Sequence, residues 1–167
     1  MKPISLCLVQ MGKTGLEVVD TYPDVLPKDV LQELTYKSMP LTAKPGDFAS
    51  TSVRDLAFSS YIFELPSEGV ERKNIGSLIA VYNSMEYNAT SVKKAFTIVI
   101  DQLQHKNLLQ IKVLEKILPN LFQGFKKGQF KIEISSVAKI SFEFPDEDKD
   151  KDSLSSRVDN VSDDIWK

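Results

Sequence analysis

The chain has 167 residues, 42% of them hydrophobic, with 21 Lys and Arg against 23 Asp and Glu, one cysteine and one histidine. That length suits one domain with a sizeable core. The net charge of −2 argues against a dedicated nucleic-acid binder, one cysteine excludes an internal disulfide, and no apolar run approaches the ~18–20 residues that span a bilayer. The first residues lack a charged segment followed by a long apolar stretch and a small-residue cleavage site, so a soluble cytoplasmic protein without a secretory signal is expected.

In chain order, Ile4–Val9 alternates as a largely buried strand with Cys7 inside it. Gln10–Gly15 is a turn with two glycines, and Leu16–Thr21 resumes as a strand, so the two read as an antiparallel hairpin. Tyr22-Pro23-Asp24 ends it. Pro27 then opens a helix, Lys28–Met39, whose apolar stripe is Val30, Leu31 and Leu34, and Pro40 stops it. Asp47–Val53 is short and rich in Ser and Thr, which suits an edge strand. Asp55 breaks it before the aromatic strand Leu56–Leu65. Pro66–Lys73 is a loop, and Ile75–Tyr82, almost wholly apolar or small, is a central strand. These strands need a helical cover.

That cover is Asn88–Phe125. Val92, Phe96, Val99 and Leu103 share one helical face, and Leu114, Ile117, Leu118 and Leu121 continue it. Thr90 or Ser91 can cap the start. The polar patch His105-Lys106-Asn107 divides the stretch into two helices, and Pro119 either kinks the second or restarts it. After Gly128 the period returns to two: Phe130, Ile132 and Ile134, then Ile140, Phe142 and Phe144. The expected layout is a longer domain over 1–128, a β hairpin over 129–144 packed on it, and a disordered acidic tail over 145–167. Eight acids (Asp146, Glu147, Asp148, Asp150, Asp152, Asp159, Asp163, Asp164) stand there against Lys149, Lys151, Arg157 and Lys167, so the body is mildly basic. The fold class is α+β, sandwich-like, with a central antiparallel sheet of about five strands in the order β-β-α-β-β-β-α-α. Short loops between neighbouring strands favour a meander over a crossover.

Chemistry-bearing motifs are scarce. Gly12-Lys13-Thr14 follows a strand, as a phosphate loop would, but Cys7 stands where the first glycine belongs and the next element is β-patterned. His105 and Cys7 cannot make a four-ligand His/Cys site, and a nucleophilic triad would need that same histidine. No catalytic, cofactor-binding or metal site is therefore assigned, and the chain is expected not to be an enzyme. Lys93, Lys94, Lys106, Lys112, Lys116, Lys126 and Lys127 make the helical region basic, either as a solvated face or for weak attraction to an anionic membrane. Ile165 and Trp166, the latter the one tryptophan, end the acidic tail, either as a terminal accident or as a short linear motif with an aromatic anchor.

The segment Leu16-Glu17-Val18-Val19-Asp20-Thr21-Tyr22-Pro23, the short helix after it, Phe58-Ser59-Ser60-Tyr61-Ile62-Phe63 and Ile75–Tyr82 resemble the longin domain. The flavour is that of the longin module opening DENN-type and Npr2-like proteins, over about residues 1–125. Two features depart from that pattern: the β structure at 129–144, and the lack of the large C-terminal region of DENN-type proteins. The resemblance implies a non-enzymatic scaffold or regulatory subunit in membrane trafficking, cytoplasmic or peripheral at membranes. It would bind a small GTPase or a second longin- or roadblock-type subunit and form a homo- or heterodimer. The surface it implies is Val30, Leu31, Leu34, Tyr36 and Met39 on the first helix with Phe48 and Val53 on the third strand. The alternative is that Val30, Leu31 and Leu34 simply pack on the chain's own sheet. A competing function is a profilin-like domain that binds a ligand or a cytoskeletal protein.

Overall fold

A computed structural model of the chain describes residues 2–12, 15–40, 42–66, 74–135 and 138–143. The expected tail over 145–167, with Ile165 and Trp166, and the last residue of the expected hairpin, Phe144, lie outside the described residues. The elements are β1 (Ser5–Gly12), β2 (Gly15–Tyr22), α1 (Lys28–Ser38), β3 (Phe48–Val53), β4 (Leu56–Leu65), β5 (Asn74–Tyr82), α2 (Ala89–His105), α3 (Ile111–Lys127), β6 (Gln129–Ser135) and β7 (Ala138–Glu143). Strands β1 to β5 form one antiparallel sheet in the spatial order β2-β1-β5-β4-β3, and β6 pairs with β7 in a separate two-stranded sheet.

The sheet is not the simple meander that short loops favour. The hairpin β1-β2 and the meander β3-β4-β5 are joined side by side through β1 and β5. The connection from β2 to β3 therefore passes from one edge of the sheet to the other, and α1 is that connection. Because β5 is central and both its faces are covered, it reads as a continuous apolar run rather than an alternating one. The Ser/Thr-rich β3 is an edge, as its composition suggests.

Period-two alternation sorts the strand side chains into two cores. Cys7, Val9, Phe58, Ile62, Ile79 and Val81 meet Val30, Leu34 and Met39 under α1. Leu6, Leu8, Tyr61, Phe63, Leu78 and Ala80 meet the apolar faces of α2 and α3 on the opposite side. The two aromatic contacts Tyr22–Phe122 and Phe96–Phe125, both edge-to-face, tie α3 to β2 and to α2.

Each helix terminus has a local cause. Asn88, rather than Thr90 or Ser91, caps α2: its side-chain oxygen accepts the Ser91 backbone N–H at 3.1 Å. The break at His105–Asn107 is a Schellman motif. Asn107 adopts φ 57°, its N–H donates to the Gln104 carbonyl at 3.1 Å, and the Leu108 N–H donates to the Leu103 carbonyl at 2.8 Å. Gly128, at φ 81°, ends α3 in the same left-handed region and donates its N–H to the Gly124 carbonyl. Pro119 neither starts nor ends a helix, since α3 runs continuously from Ile111 to Lys127 through it. The apolar face built from Leu114, Ile117, Leu118, Leu121 and Phe122 offsets the one ladder hydrogen bond that a mid-helix proline removes.

Candidate functional site: the two flanks of the first helix

Helix α1 has three surfaces. Val30, Leu34 and Ser38 face the sheet and are buried. The flank toward β3 carries Asp29, Glu33 and Lys37, which recur at four-residue spacing. Arg54, in the tight β3–β4 turn at φ 55°, reaches back to that flank. Its Nη1 donates to Asp29 Oδ2 at 2.7 Å and its Nε lies 3.6 Å from Glu33 Oε2. Lys37 Nζ lies 3.8 Å from Glu33 and donates to the Ser52 carbonyl at 3.2 Å. The Arg54 guanidinium, chiefly through its hydrogen bond, holds the Asp29 carboxyl below the usual carboxylate range. Both charges are solvent-exposed, so this network orients the helix against the edge strand more than it stabilises the fold.

The other flank faces β2 and mixes apolar with polar side chains. Leu31 and Tyr36 stand across from Leu16 and Val18 of the edge strand, with Lys28, Gln32 and Thr35 completing a groove of about 360 Å³. Leu16, Val18 and Leu31 are half-buried, whereas Tyr36 is 63% exposed. Thr35 Oγ1 donates its hydrogen to the Leu31 carbonyl at 2.6 Å, so it can meet a ligand only as an acceptor. Beyond the C-terminal end of α1 a smaller hollow of about 190 Å³ is lined by residues that include Pro40, Asp47, Phe48 and Ser60.

The structure divides the seven residues implied as a partner surface. Val30, Leu34, Met39 and Val53 lie in the domain's own core beneath α1. Leu31 and Tyr36 line the open groove. Phe48 is half-buried against the opposite core and borders the smaller hollow. Leu16 and Val18 belong to the groove and were not singled out in the sequence. Their only signal was that they lie on the same strand face as the residues under α1, which becomes readable once β2 is known to be an edge.

The groups able to do chemistry are dispersed. Cys7 is buried, and desolvation pushes its thiol up to about 12, which makes it an inert core side chain at neutral pH. His105 is exposed at the last residue of α2. Among the described residues no three His, Cys, Asp or Glu side chains come close enough to share a metal ion. No helix among them is long and apolar enough to cross a membrane. A groove of mixed polarity with an exposed tyrosine beside an edge strand is suited to recognition of another macromolecule.

The fold is an α+β domain: a five-stranded antiparallel sheet with one helix on one face and two on the other, in the element order β-β-α-β-β-β-α-α that the periodicity of the sequence leads one to expect. Among solved structures the chain is similar to the Lst4 longin domain of K. lactis, at 13% identity and a TM-score of 0.32, over 97% of this chain and 96% of that one. No family model and no curated protein matches it.

Proposed function

We propose that this chain is a non-enzymatic longin-like scaffold or regulatory subunit in membrane trafficking, and that it binds a small GTPase or a second longin- or roadblock-type subunit. The observation that carries this reading is the groove beside α1, where Tyr36 stands 63% exposed next to half-buried Leu31, Leu16 and Val18. A partner that covers Tyr36 gains a large aromatic anchor at little cost in side-chain entropy. The edge strands β2 and β3 add unpaired backbone N–H and C=O groups on either side of α1. The resemblance of Leu16–Pro23 and Phe58–Phe63 to longin modules supplies the partner class.

The test joins two measurements on the full chain. Sedimentation equilibrium at high concentration should reveal self-association or a complex with a co-purified subunit. Immobilised protein should retain a small GTPase or a longin- or roadblock-type protein from source lysate. A strict monomer that retains neither class overturns the proposal.

A further inference from the structure

The five-stranded sheet ends on β3 at one side and on β2 at the other, and the two edges differ. In an antiparallel ladder, successive residues turn their N–H and C=O groups to one neighbour and then to the other, so an edge strand leaves alternate residues unmatched. Beside β3 stands the charged network of α1. Lys37 Nζ donates to the Ser52 carbonyl at 3.2 Å, and Arg54, at the end of the strand, is held by Asp29 and Glu33. Charged side chains at an edge discourage the addition of another strand. Beside β2 lies the open groove instead, lined by Leu16, Val18, Leu31 and Tyr36 among others.

The register shows which part of β2 can take a neighbour. Val9 stands opposite Val18 but Leu8 stands opposite Asp20, so Val19 is an extra residue and β2 is bulged there. Ahead of the bulge, residues 15–18 pair one to one with residues 9–12. Side chains alternate along that straight run. Leu16 and Val18 are half-buried and turn toward α1, whereas Glu17 is exposed on the opposite face. A strand laid on this edge would run about 4.8 Å from β2 and put each side chain on the same face as the residue it stands across from. Side chains across from Leu16 and Val18 would enter the groove beside Leu31 and Tyr36, where apolar groups find apolar neighbours. The side chain between them would stand across from Glu17, where a positive charge is favoured. The bulge bends the rest of the edge away and confines the match to Leu16, Glu17 and Val18.

Taking the groove beside α1 as the partner site proposed above, we infer that the partner adds an extended segment to the open edge of β2 as a sixth strand. Its pattern is apolar–basic–apolar across from Leu16, Glu17 and Val18. Main-chain hydrogen bonds to β2 hold the segment, and the alternate side chains select it.

The experiment titrates the full chain into fluorescein-labelled peptides and follows fluorescence anisotropy. The probes are Ser-Thr-Val-Lys-Val-Thr-Ser, blocked at both ends, and its counterpart with Glu in place of Lys. The parent should bind the Lys peptide severalfold more tightly than the Glu peptide. In Glu17→Lys, a change at an exposed side chain, that preference should reverse. A strand added at one edge spends the N–H groups of alternate residues on β2 and leaves the others to solvent. Two N-methylated forms of the Lys peptide, one for each alternate set of amides, should therefore differ: one loses binding and the other keeps it. No binding of the Lys peptide by the parent, equal behaviour of the two N-methylated forms, or an unchanged charge preference in Glu17→Lys would each overturn the added strand. Retention from source lysate of a partner that Tyr36→Asp loses and Glu17→Lys keeps in full would also overturn it, while leaving the groove as the partner site.

Discussion

Gly76→Ala tests the packing that sets the central strand in place. Gly76 lies in β5, paired with Gln10 of β1 and with Phe63 of β4. A Cβ there would meet Phe63 Cζ at 2.6 Å, Phe63 Cε2 at 2.9 Å and the Val9 carbonyl oxygen at 3.3 Å. Carbon atoms in contact prefer about 3.5–4.0 Å, so the ring must retreat by about 1 Å. It cannot do so into solvent, because Phe63 is 2% exposed and packed in the core under α2 and α3. Two effects oppose each other. Replacing glycine lowers the entropy of the unfolded chain and favours folding by about 0.4–1 kcal/mol. Overpacking a tight core costs about 1–3 kcal/mol. The clash should win, leaving a net loss of about 0.5–2 kcal/mol, which for a chain of this size lowers Tm by about 2–4 °C per kcal/mol. Urea unfolding with an unchanged slope and a lower midpoint is the expected result. Combined with Phe63→Leu, the alanine should cost less than it does alone, giving a favourable coupling energy. A neutral or stabilising Gly76→Ala, or strict additivity with Phe63→Leu, refutes the assignment of the clash.

Other consequences follow from the same structure. Leu34→Ala, at a side chain with no exposed surface, should cost about 2–5 kcal/mol in urea unfolding; a loss comparable to that of an exposed residue would mean that α1 is not seated on the sheet. The Cys7 thiol stays protonated in the folded state as pH rises through the ordinary thiol value of 9.0 toward about 12, whereas the unfolded chain ionises, so its contribution is complete below pH 9 and is lost as pH climbs above it. Native protein should accordingly resist a thiol reagent at pH 8 and react fully once unfolded; rapid labelling of the native protein contradicts its burial. Asp29 is held below the ordinary carboxylate range mainly by its hydrogen bond from Arg54, so the pair's stabilisation is present above the ordinary Asp value and lost as pH falls through the depressed one. In Arg54→Ala the Asp29 carboxyl should titrate higher by NMR, and an unchanged titration rules out the pair in solution.

The element order was legible because the strands and helices carry different periods. Leu56–Leu65 and Ile75–Tyr82 are marked by dense apolar and aromatic runs, and α2 by Val92, Phe96, Val99 and Leu103 at three- and four-residue intervals. Strand order was less legible. Nothing local to β1 states that its second neighbour is β5, more than 60 residues later, since that pairing is decided by where α1 can lay its stripe. Pro119 misleads for a related reason: a mid-helix proline is disfavoured locally, yet the tertiary packing of α3 overrides it. The open groove beside α1 was half legible. Val30, Leu34, Met39 and Val53 were marked by their apolar character, but apolar character cannot separate a core contact from a partner contact. Tyr36 stands out only when Leu16, Val18 and Leu31 beside it are known to be half-buried and it is exposed.

If the groove beside α1 seats a partner, as proposed, Tyr36→Asp should abolish the binding. Tyr36 is 63% exposed, so the substitution should change stability by no more than about 0.5 kcal/mol, and unfolding measured in parallel confirms that the domain is intact. Parent and variant are immobilised at equal density and exposed to the same source lysate. The parent should retain a small GTPase or a longin- or roadblock-type subunit, and Tyr36→Asp should not. Equal retention by both proteins, or retention of neither partner class by the parent, would contradict it.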